Sequence, residues 1–304
     1  TYGSYELMKL EGSIVALITP MQADGSVDYA ALTRLIEFHI AEGTNGIVAV
    51  GTTGESATLT VDEHLSVIEH TIKTVNKRIP VIAGTGANST QEAVHLTKHA
   101  ERLGADAALL VVPYYNKPTQ EGLYLHYKKI AESVPIAQLL YNVPGRTVAD
   151  LHNDTVARLA DIDNIVGCKD ATGDMQRGKA LVDLCGDRLT ILSGDDATAL
   201  EYIKLGARGD ISVTANVAPG LMSKMCAAGL KGDFSTAEQY DKQLRALHRD
   251  LFLESNPIPV KYAVSKMGYT ADALRLPLTS LSAKHEQAVA AAMTEAGIPL
   301  QENQ

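Results

Sequence analysis

The amino-acid sequence predicts an α/β fold, a (β/α)8 TIM barrel with a helical extension at its C-terminus. Short runs rich in β-branched residues alternate with longer amphipathic segments along the 304-residue chain, and this alternation predicts βα units around a parallel sheet. Eight units in about 250 residues fit a closed barrel better than a doubly wound sheet. With 45% hydrophobic residues, the chain is able to bury a large core.

The predicted strands are short apolar runs bounded by turn residues. In chain order they cover residues 13–18, 46–50, 81–83, 107–112, 136–140, 165–168, 189–192 and 210–213. Between them, Thr60 with Glu63 and Ser89 with Glu92 predict capping boxes, in which the acidic side chain returns to the amide of the cap residue. After the eighth strand, residues 233–252, 257–267 and 283–296 are predicted to form additional helices.

The barrel is expected to occupy residues 8–231, and a helical region packed on the barrel is expected to occupy residues 232–304. No Pro/Ser-rich linker and no change of composition separates the two parts, so we treat them as one domain. Residues 1–7, which precede Met8, are interpreted as a remnant of cloning and are left out of the predicted fold.

The charge and the cysteine content argue against several classes of partner. The formal net charge is -9 and no block of Lys and Arg is present, which argues against nucleic acid and anionic membranes as partners. Cys168, Cys185 and Cys226 are odd in number and too far apart for a zinc pair, so neither zinc nor a disulfide framework is expected. Because no apolar run reaches membrane-spanning length and no secretion signal is found, the sequence predicts a cytoplasmic protein.

A barrel places its chemistry where the strands end. Polar and aromatic residues follow the predicted strands at 19–20, 51–56, 84–88, 113–116, 141–146, 169–170, 193–196 and 212–214. Hydroxyls, phenols, one arginine and one lysine are therefore expected to converge on one rim of the barrel.

Lys169 is the strongest catalytic candidate. It closes the apolar run 164–168 and opens the turn 170–174. Removing an ammonium group from water disfavours its charged form and leaves a nucleophilic amine, which suits Schiff-base formation with a carbonyl compound. The alternative from these residues alone is a lysine at a strand end that pairs with Asp170 or Asp174.

Aromatic and basic residues near other strand ends have equally open interpretations. Tyr141 could transfer protons if its neighbours tune the phenol, or it could be a core residue with a satisfied hydroxyl. Arg146, in a Pro-Gly turn, could bind a carboxylate with its forked guanidinium or form a surface ion pair. The adjacent Tyr114 and Tyr115 are typical of an interface.

Three further motifs suggest ligand sites only superficially. The glycines and hydroxyls of residues 51–56 resemble a phosphate loop without its Gly-Lys-Ser/Thr ending, so they form an ordinary turn or bind a small carboxylate through the Thr53 hydroxyl and backbone amides. Residues 84–89 are an incomplete dinucleotide fingerprint, interpreted as a turn. Asp195 and Asp196 have no third ligand nearby and are predicted to cap the helix ahead of residues 197–200. No histidine is predicted to bind a metal.

Taken in order, these motifs resemble the dihydrodipicolinate synthase family, within the superfamily of pyruvate-dependent class I aldolases and N-acetylneuraminate lyase. The resemblance runs from end to end, through residues 12–16, 51–56, 114–118, 141–147, the Lys169 segment, 193–196 and 256–261. It implies a (β/α)8 barrel with a C-terminal helical region, a homotetramer built from tight dimers, and chemistry that requires neither a metal nor an organic cofactor.

The resemblance also implies the reaction and its catalytic residues. Lys169 would condense with the keto group of pyruvate, and the resulting enamine would attack the aldehyde of L-aspartate 4-semialdehyde. Tyr141, Thr52 and Tyr115 match the proton relay of the family, with Tyr115 reaching in from a neighbouring subunit. The product would be 4-hydroxy-tetrahydrodipicolinate, made at the committed step of lysine and diaminopimelate biosynthesis.

Substrate-binding residues are implied in the same way. Thr53 matches the residue that holds the carboxylate of pyruvate, while Gly194 and the backbone near Ile211 would close the pocket. Arg146 matches the arginine that receives the carboxylate of aspartate semialdehyde.

A feedback site for L-lysine at the dimer interface is matched by Ser56, Ala57, His64, Asn88, Glu92 and Tyr114. Val61, however, stands where lysine-sensitive members usually carry a histidine. Cys168 replaces the usual aliphatic residue beside the lysine, and little effect is expected because a free cysteine behaves as a small hydrophobic residue.

Two alternative functions follow from the same residues. N-acetylneuraminate and keto-sugar-acid lyases share the lysine and the tyrosine but cleave their substrates, resemble the chain less in loop 51–55, and usually lack the arginine matched by Arg146. A catalytically inactive barrel that serves as a binding or scaffold protein would be expected to lack Lys169 or Tyr141, and both are present.

Overall fold

A computed structural model describes residues 9–301, so the interpretation of residues 1–7 lies outside the described part of the chain. Eight parallel strands pair in sequence order, and the eighth pairs with the first to close a barrel. The strands are β1 Gly12–Ala16, β2 Gly46–Ala49, β3 Val81–Gly84, β4 Ala107–Val111, β5 Ala137–Asn142, β6 Ile165–Asp170, β7 Thr190–Ser193 and β8 Gly209–Ser212. The predicted TIM barrel is confirmed.

Strand positions agree with the sequence pattern to within two residues. The largest differences include the C-terminal ends of β5 and β6, which both continue two residues past the apolar run. They continue because Tyr141 pairs with Lys169, and Asn142 with Asp170, in the ladder between the two strands. Because these last residues are polar, a prediction based on apolar runs ends both strands too early.

Helices follow the strands as expected. They are α1 Tyr29–Ala41, α2 Val61–Val75, α3 Thr90–Leu103, α4 Gln120–Ser133, α5 Pro144–Thr147, α6 Asn153–Leu159, α7 Met175–Cys185, α8 Ala199–Lys204, α9 Pro219–Leu230, α10 Phe234–Asp250, α11 Ile258–Lys266 and α12 Ala283–Glu295. The capping box of Thr60 and Glu63 is present with both of its hydrogen bonds. Ser89 caps α3 by accepting from the Glu92 amide. Within residues 9–301, the Glu92 side chain does not accept from the Ser89 amide, so the second capping box is only half formed.

The C-terminal helices pack on the barrel through a continuous apolar core. Leu244 of α10, Val260 of α11 and Val289 of α12 belong to the same buried cluster as Leu32 of α1 and Ile47 of β2. This apolar core includes residues from both sides of position 231. The boundary between the barrel and the helical region at residues 231 and 232 therefore stays a proposal. In residues 9–301, no helix is long and apolar enough to cross a membrane.

Candidate active site

Lys169 and Tyr141 lie side by side at the C-terminal end of the barrel. They are partners in the parallel ladder between β6 and β5, so their side chains leave the sheet on the same face. The Lys169 Nζ lies 4.0 Å from the centre of the Tyr141 ring. Each residue is only 7% exposed. The strand register therefore positions an amine and a phenol together at one buried point.

The acids near Lys169 in sequence are engaged elsewhere. Asp170, on the opposite face of β6, accepts hydrogen bonds from the Tyr202 hydroxyl at 2.7 Å and from Thr172. Asp174 caps α7 by accepting from the Arg177 amide. Among the ion pairs of the described residues, none includes Lys169. The alternative of a lysine paired with its neighbouring aspartates is therefore wrong.

Two neighbours shape the space around the Lys169 stem. A Cβ on Gly194 would lie 2.9 Å from the Lys169 Cε, so only glycine allows the stem to pass. Ile211 is buried inside the barrel with Leu192. Cys168 points to the other face of β6, where burial raises the pKa of its thiol, and all three cysteines are free and buried. Cys168 thus packs as an apolar residue behind the strand.

A small cavity of about 50 Å³ opens at this rim. Its walls include four of the predicted catalytic and binding residues and two of the predicted regulatory ones: Lys169, Tyr141, Thr52, Thr53, Ser56 and His64. The residues that line this cavity therefore include an amine, a phenol and two threonine hydroxyls, which are groups able to bind a carbonyl compound and transfer protons.

The 51–56 loop owes its shape to a buried ion pair that sequence reasoning missed. Glu55 has a left-handed backbone conformation with φ 62°, which non-glycine residues adopt only when their surroundings hold them. Its carboxylate accepts a hydrogen bond from the Lys261 Nζ at 2.6 Å, and both side chains are 0% exposed. Both residues lie in motifs noticed in the sequence, but nothing local shows that they meet.

Asn256 connects the two predicted carboxylate-binding residues. Its side-chain Nδ2 donates to the Thr53 Oγ1 at 2.9 Å, and its backbone carbonyl accepts from an Arg146 Nη at 3.0 Å. Arg146 is exposed at the rim, and no carboxylate of the described chain pairs with it. The alternative of a surface ion pair is therefore wrong, and the guanidinium keeps free donors.

Within one chain, the Tyr115 side chain does not line the cavity that contains Lys169. Its side chain is 86% exposed, and its backbone has φ 80°, a strained conformation for tyrosine. The neighbouring Tyr114 is 42% exposed. The Tyr115 side chain therefore projects into solvent from a strained loop.

The predicted regulatory residues lie after β2, β3 and β4, in the loops and in the helices α2 and α3. His64 is buried, its Nε2 lies 2.7 Å from the Gly84 carbonyl, and burial lowers the pKa of its ring. Asn88 donates from Nδ2 to the Tyr114 carbonyl at 3.0 Å, which ties the loops after β3 and β4 together. The remaining members are Ser56 and Ala57, in the short helix Ser56–Thr58, and Glu92 in the first turn of α3. Val61 is 46% exposed.

Asp195 and Asp196 do not cap the following helix with their side chains, and that prediction is wrong. Asp196 instead accepts hydrogen bonds from the Val213 and Thr214 amides, each at 3.0 Å. A buried carboxylate needs donors, and these two amides, just beyond β8, supply them. Burial raises the pKa of the nearby Asp210 well above its usual range. In residues 9–301, no group of three or more histidine, cysteine or acidic residues could hold a metal ion.

A sequence model of the Dihydrodipicolinate synthetase family matches residues 9–296. The chain belongs to this family. As a member of the dihydrodipicolinate synthetase family, it is 61% identical over 289 residues to the 4-hydroxy-tetrahydrodipicolinate synthase of Thioalkalivibrio sulfidiphilus, covering 95% of this chain and 98% of that relative.

Solved structures of the dihydrodipicolinate synthetase family agree with this assignment. A chloride-inhibited dihydrodipicolinate synthase from Acinetobacter baumannii, complexed with pyruvate, superposes with a TM-score of 0.95 at 57% identity, covering 96% of this chain and 100% of that chain. An enzyme of the same type from Cyanidioschyzon merolae, with lysine bound, has a TM-score of 0.91 at 36% identity, covering 94% and 98% of the two chains.

Proposed function

We propose that this protein condenses pyruvate with L-aspartate 4-semialdehyde to give 4-hydroxy-tetrahydrodipicolinate, the committed step of lysine and diaminopimelate biosynthesis. One observation carries the proposal: the Lys169 amine is buried at a strand end, 4.0 Å from the Tyr141 ring, with no acidic partner in the described chain. The names of close relatives, and a similar structure complexed with pyruvate, support the choice of substrates.

The reaction begins when the Lys169 amine attacks the keto carbon of pyruvate and water leaves. The resulting iminium withdraws electrons, so a methyl proton can be lost to form an enamine. The enamine carbon attacks the aldehyde of the second substrate and forms the new carbon-carbon bond. The amino group of that substrate then displaces Lys169 by transimination and closes the ring. Because the iminium is the electron sink, these steps need no metal or organic cofactor.

Each proton transfer needs a group that both accepts and donates. Tyr141 and Thr52 line the cavity with Lys169 and would supply two members of the relay. Tyr115 would supply the third from a neighbouring subunit, which accounts for its exposure in the single chain. Thr53 would hold the carboxylate of pyruvate, with Gly194 and Ile211 closing the pocket.

The same arrangement supports an assembly and a cellular setting. A site that takes Tyr115 from a neighbour requires at least a dimer, and we propose a homotetramer made of two such dimers. Free L-lysine is proposed as a feedback inhibitor at the interface near Tyr114, supported by the lysine-bound relative. The negative net charge and the reduced cysteines support a cytoplasmic protein whose partners are small molecules rather than nucleic acid or membrane.

Borohydride reduction in the presence of pyruvate tests the covalent step. Intact mass should show one reduced pyruvyl group per chain, and peptide mapping should place it on Lys169. Without pyruvate, no adduct should form. An adduct mapped to another lysine, such as Lys117 or Lys261, would contradict the assignment.

A variant at Arg146 and assays with alternative substrates test whether the protein catalyses condensation or cleavage. In Arg146→Ala the apparent KM for aspartate semialdehyde should rise, because the guanidinium is placed at the rim to bind its carboxylate, while the pyruvate adduct persists. Efficient cleavage of N-acetylneuraminate or a keto-sugar acid by the unaltered protein would favour the lyase alternative. A protein that forms no adduct and turns over neither substrate would be a non-catalytic barrel.

A further inference from the structure

Asn256 occupies an unusual position between the two proposed anion-binding residues. Its side chain contacts Thr53 and its main chain contacts Arg146, at 2.9 and 3.0 Å. The residue is 7% exposed and lies just before α11, whose Lys261 forms the buried ion pair with Glu55. The segment from Asn256 to α11 and the 51–56 loop are thus joined at two points, the Asn256–Thr53 hydrogen bond and the Glu55–Lys261 ion pair.

The direction of the Asn256–Thr53 hydrogen bond has a chemical consequence. A threonine hydroxyl has one proton and two lone pairs. The Asn256 Nδ2 uses one lone pair, and within residues 9–301 the Thr53 hydroxyl donates to no acceptor. Because Thr53 lines the cavity with Lys169, its proton is available to an anion that enters there.

The orientation of the amide is supported by its other contacts. The Asn256 Oδ1 is buried and has no partner in the described chain. In the reversed orientation, Thr53 would donate to the oxygen, and the amide nitrogen would occupy the place where no acceptor is found. Buried N–H groups without an acceptor are rarer than carbonyls without a donor, so the observed orientation is the favourable one.

We propose that Asn256 is a positioning residue for carboxylate recognition. Its amide directs the Thr53 hydroxyl proton into the cavity, and its backbone carbonyl holds the Arg146 guanidinium at the rim. The proposal rests on the proposed function, in which Thr53 receives the carboxylate of pyruvate. One residue then sets the distance between the two carboxylate receptors, through its side chain for one and its main chain for the other.

Two substitutions at Asn256 separate this role from simple packing. Asn256→Asp keeps the shape but accepts only, so it should draw the Thr53 proton away from the cavity and place a negative charge behind it. Asn256→Ala removes the directing bond but leaves the hydroxyl free to turn. The KM for pyruvate, and the pyruvate concentration that half-saturates adduct formation, should rise roughly tenfold or more in Asn256→Asp and only a few-fold in Asn256→Ala.

The second substrate and the pH dependence provide independent readouts. The KM for aspartate semialdehyde should change less than about twofold in both variants, because the backbone carbonyl that holds Arg146 remains. The pyruvate defect of Asn256→Asp, as a ratio to the unaltered protein at each pH, should shrink as the pH is lowered. Protonation of the introduced carboxyl restores a donor and removes its charge.

Asn45→Asp is the matched control for the added charge. Asn45 lies at the opposite end of the barrel, and its Oδ1 accepts from the Ser13 amide at 2.9 Å, a bond that aspartate retains. Pyruvate saturation should not change in this variant. If an Asn256 variant does not fold, Thr53→Val in the otherwise unaltered protein keeps the proposal testable. Loss of the Thr53 hydroxyl should raise the KM for pyruvate at least as much as loss of the Asn256 amide that orients it.

The outcomes distinguish the two proposals. If only the shape of the side chain mattered, the KM for pyruvate would rise less in Asn256→Asp than in Asn256→Ala, and that result would overturn the positioning role. Pyruvate saturation that is unchanged in both variants would overturn it too. An unaffected pyruvate KM in Thr53→Val would overturn it as well. Absence of any pyruvate adduct in the unaltered protein would instead overturn the proposed function, together with the inference that rests on it.

Discussion

Lys169 and Lys261 are both buried lysines near the 51–56 loop, and their surroundings are opposite. The Lys261 Nζ donates to the Glu55 carboxylate at 2.6 Å and to the Ala273 carbonyl at 2.9 Å, with its side chain fully covered. The Lys169 amine faces the Tyr141 ring and a cavity, with no acid paired to it in the described chain. Burial alone therefore does not leave a lysine amine free to react, because a buried lysine can be held in an ion pair, as Lys261 is.

The two environments also have different structural consequences. Burial lowers the pKa of Lys261, while its attraction to Glu55 opposes that shift. A buried pair of this kind recovers its desolvation penalty only while both members are present. Lys261 thus holds the loop through Glu55, whereas we propose that the Lys169 amine reacts with a substrate carbonyl. Removing each lysine should therefore damage different properties of the protein.

The largest effect is expected from Lys169→Ala. The pyruvate adduct should disappear and turnover should fall by at least about a thousandfold, because the covalent nucleophile is gone. Thermal unfolding should remain cooperative, since Lys169 belongs to no ion pair of residues 9–301. Borohydride trapping with peptide mapping is the measurement, and Lys261→Met is the matched control, in which the folded protein should still be labelled on Lys169. Retained labelling in Lys169→Ala would remove the distinction between the two lysines.

Subunit mixing tests whether the Lys169 site is completed by a neighbour. Tyr115→Phe and Lys169→Ala chains should each be nearly inactive alone. Mixed dimers contain one site with both intact groups, so random mixing of equal amounts should restore about a quarter of the sites. Activity after refolding the two variants together is the measurement. If mixed oligomers form without any activity, Tyr115 acts in its own subunit or outside catalysis.

Lys261→Met should act on stability instead. Glu55 would be left buried without its cation, and breaking such a pair lowers the free energy of unfolding by about 3–5 kcal/mol. The double variant Glu55→Gln/Lys261→Met should recover most of this loss, because no charge remains buried. Denaturant unfolding of the single and double variants measures the difference. A single variant as stable as the unaltered protein would show that the pair does not hold the loop.

A smaller effect is expected at Val61, the first residue of α2, whose side chain is exposed. If free lysine binds near Ser56 and Tyr114, the isopropyl group of Val61 offers it no hydrogen bond. Val61→His should therefore tighten inhibition by lysine, by up to about tenfold for one added hydrogen bond. Inhibition curves for the two proteins measure this. Identical curves would place the inhibitor away from Val61.

The smallest effect is expected at Glu63, whose partially exposed ion pair contrasts with the buried one. The Arg275 side chain donates to Glu63 at 2.7 Å and lowers the pKa of this carboxyl from 4.5 to about 2. The unfolded chain therefore binds more protons between these two pH values, and the stabilisation is lost as the pH falls from 4.5 towards 2. Glu63→Gln should lower stability by up to about 1 kcal/mol at neutral pH. The difference should vanish near pH 2 in unfolding curves, and a difference independent of pH would contradict this account.

The sequence by itself determined the barrel and the location of its chemistry. Alternating apolar runs and capping signals are local properties, because side-chain periodicity and the first hydrogen bonds of a helix involve residues close together in the chain. Parallel strands in a barrel all end at one rim, so Lys169 and Tyr141 could be assigned to the same side from their positions after two apolar runs. The structure agrees, with these two residues paired in the ladder.

Only the tertiary structure decided which distant residues meet. Thr53 and Asn256 are separated by 203 residues, and Glu55 and Lys261 by 206. No local pattern encodes such contacts, because they depend on how the C-terminal helices pack against the loops of the barrel. The pairing of Lys169 with Asp170 also stayed open in the sequence, because the hydroxyl that binds the Asp170 carboxylate belongs to Tyr202 of α8, 32 residues away. Packing placed Lys261 in an ion pair and left the Lys169 amine without an acidic partner among residues 9–301.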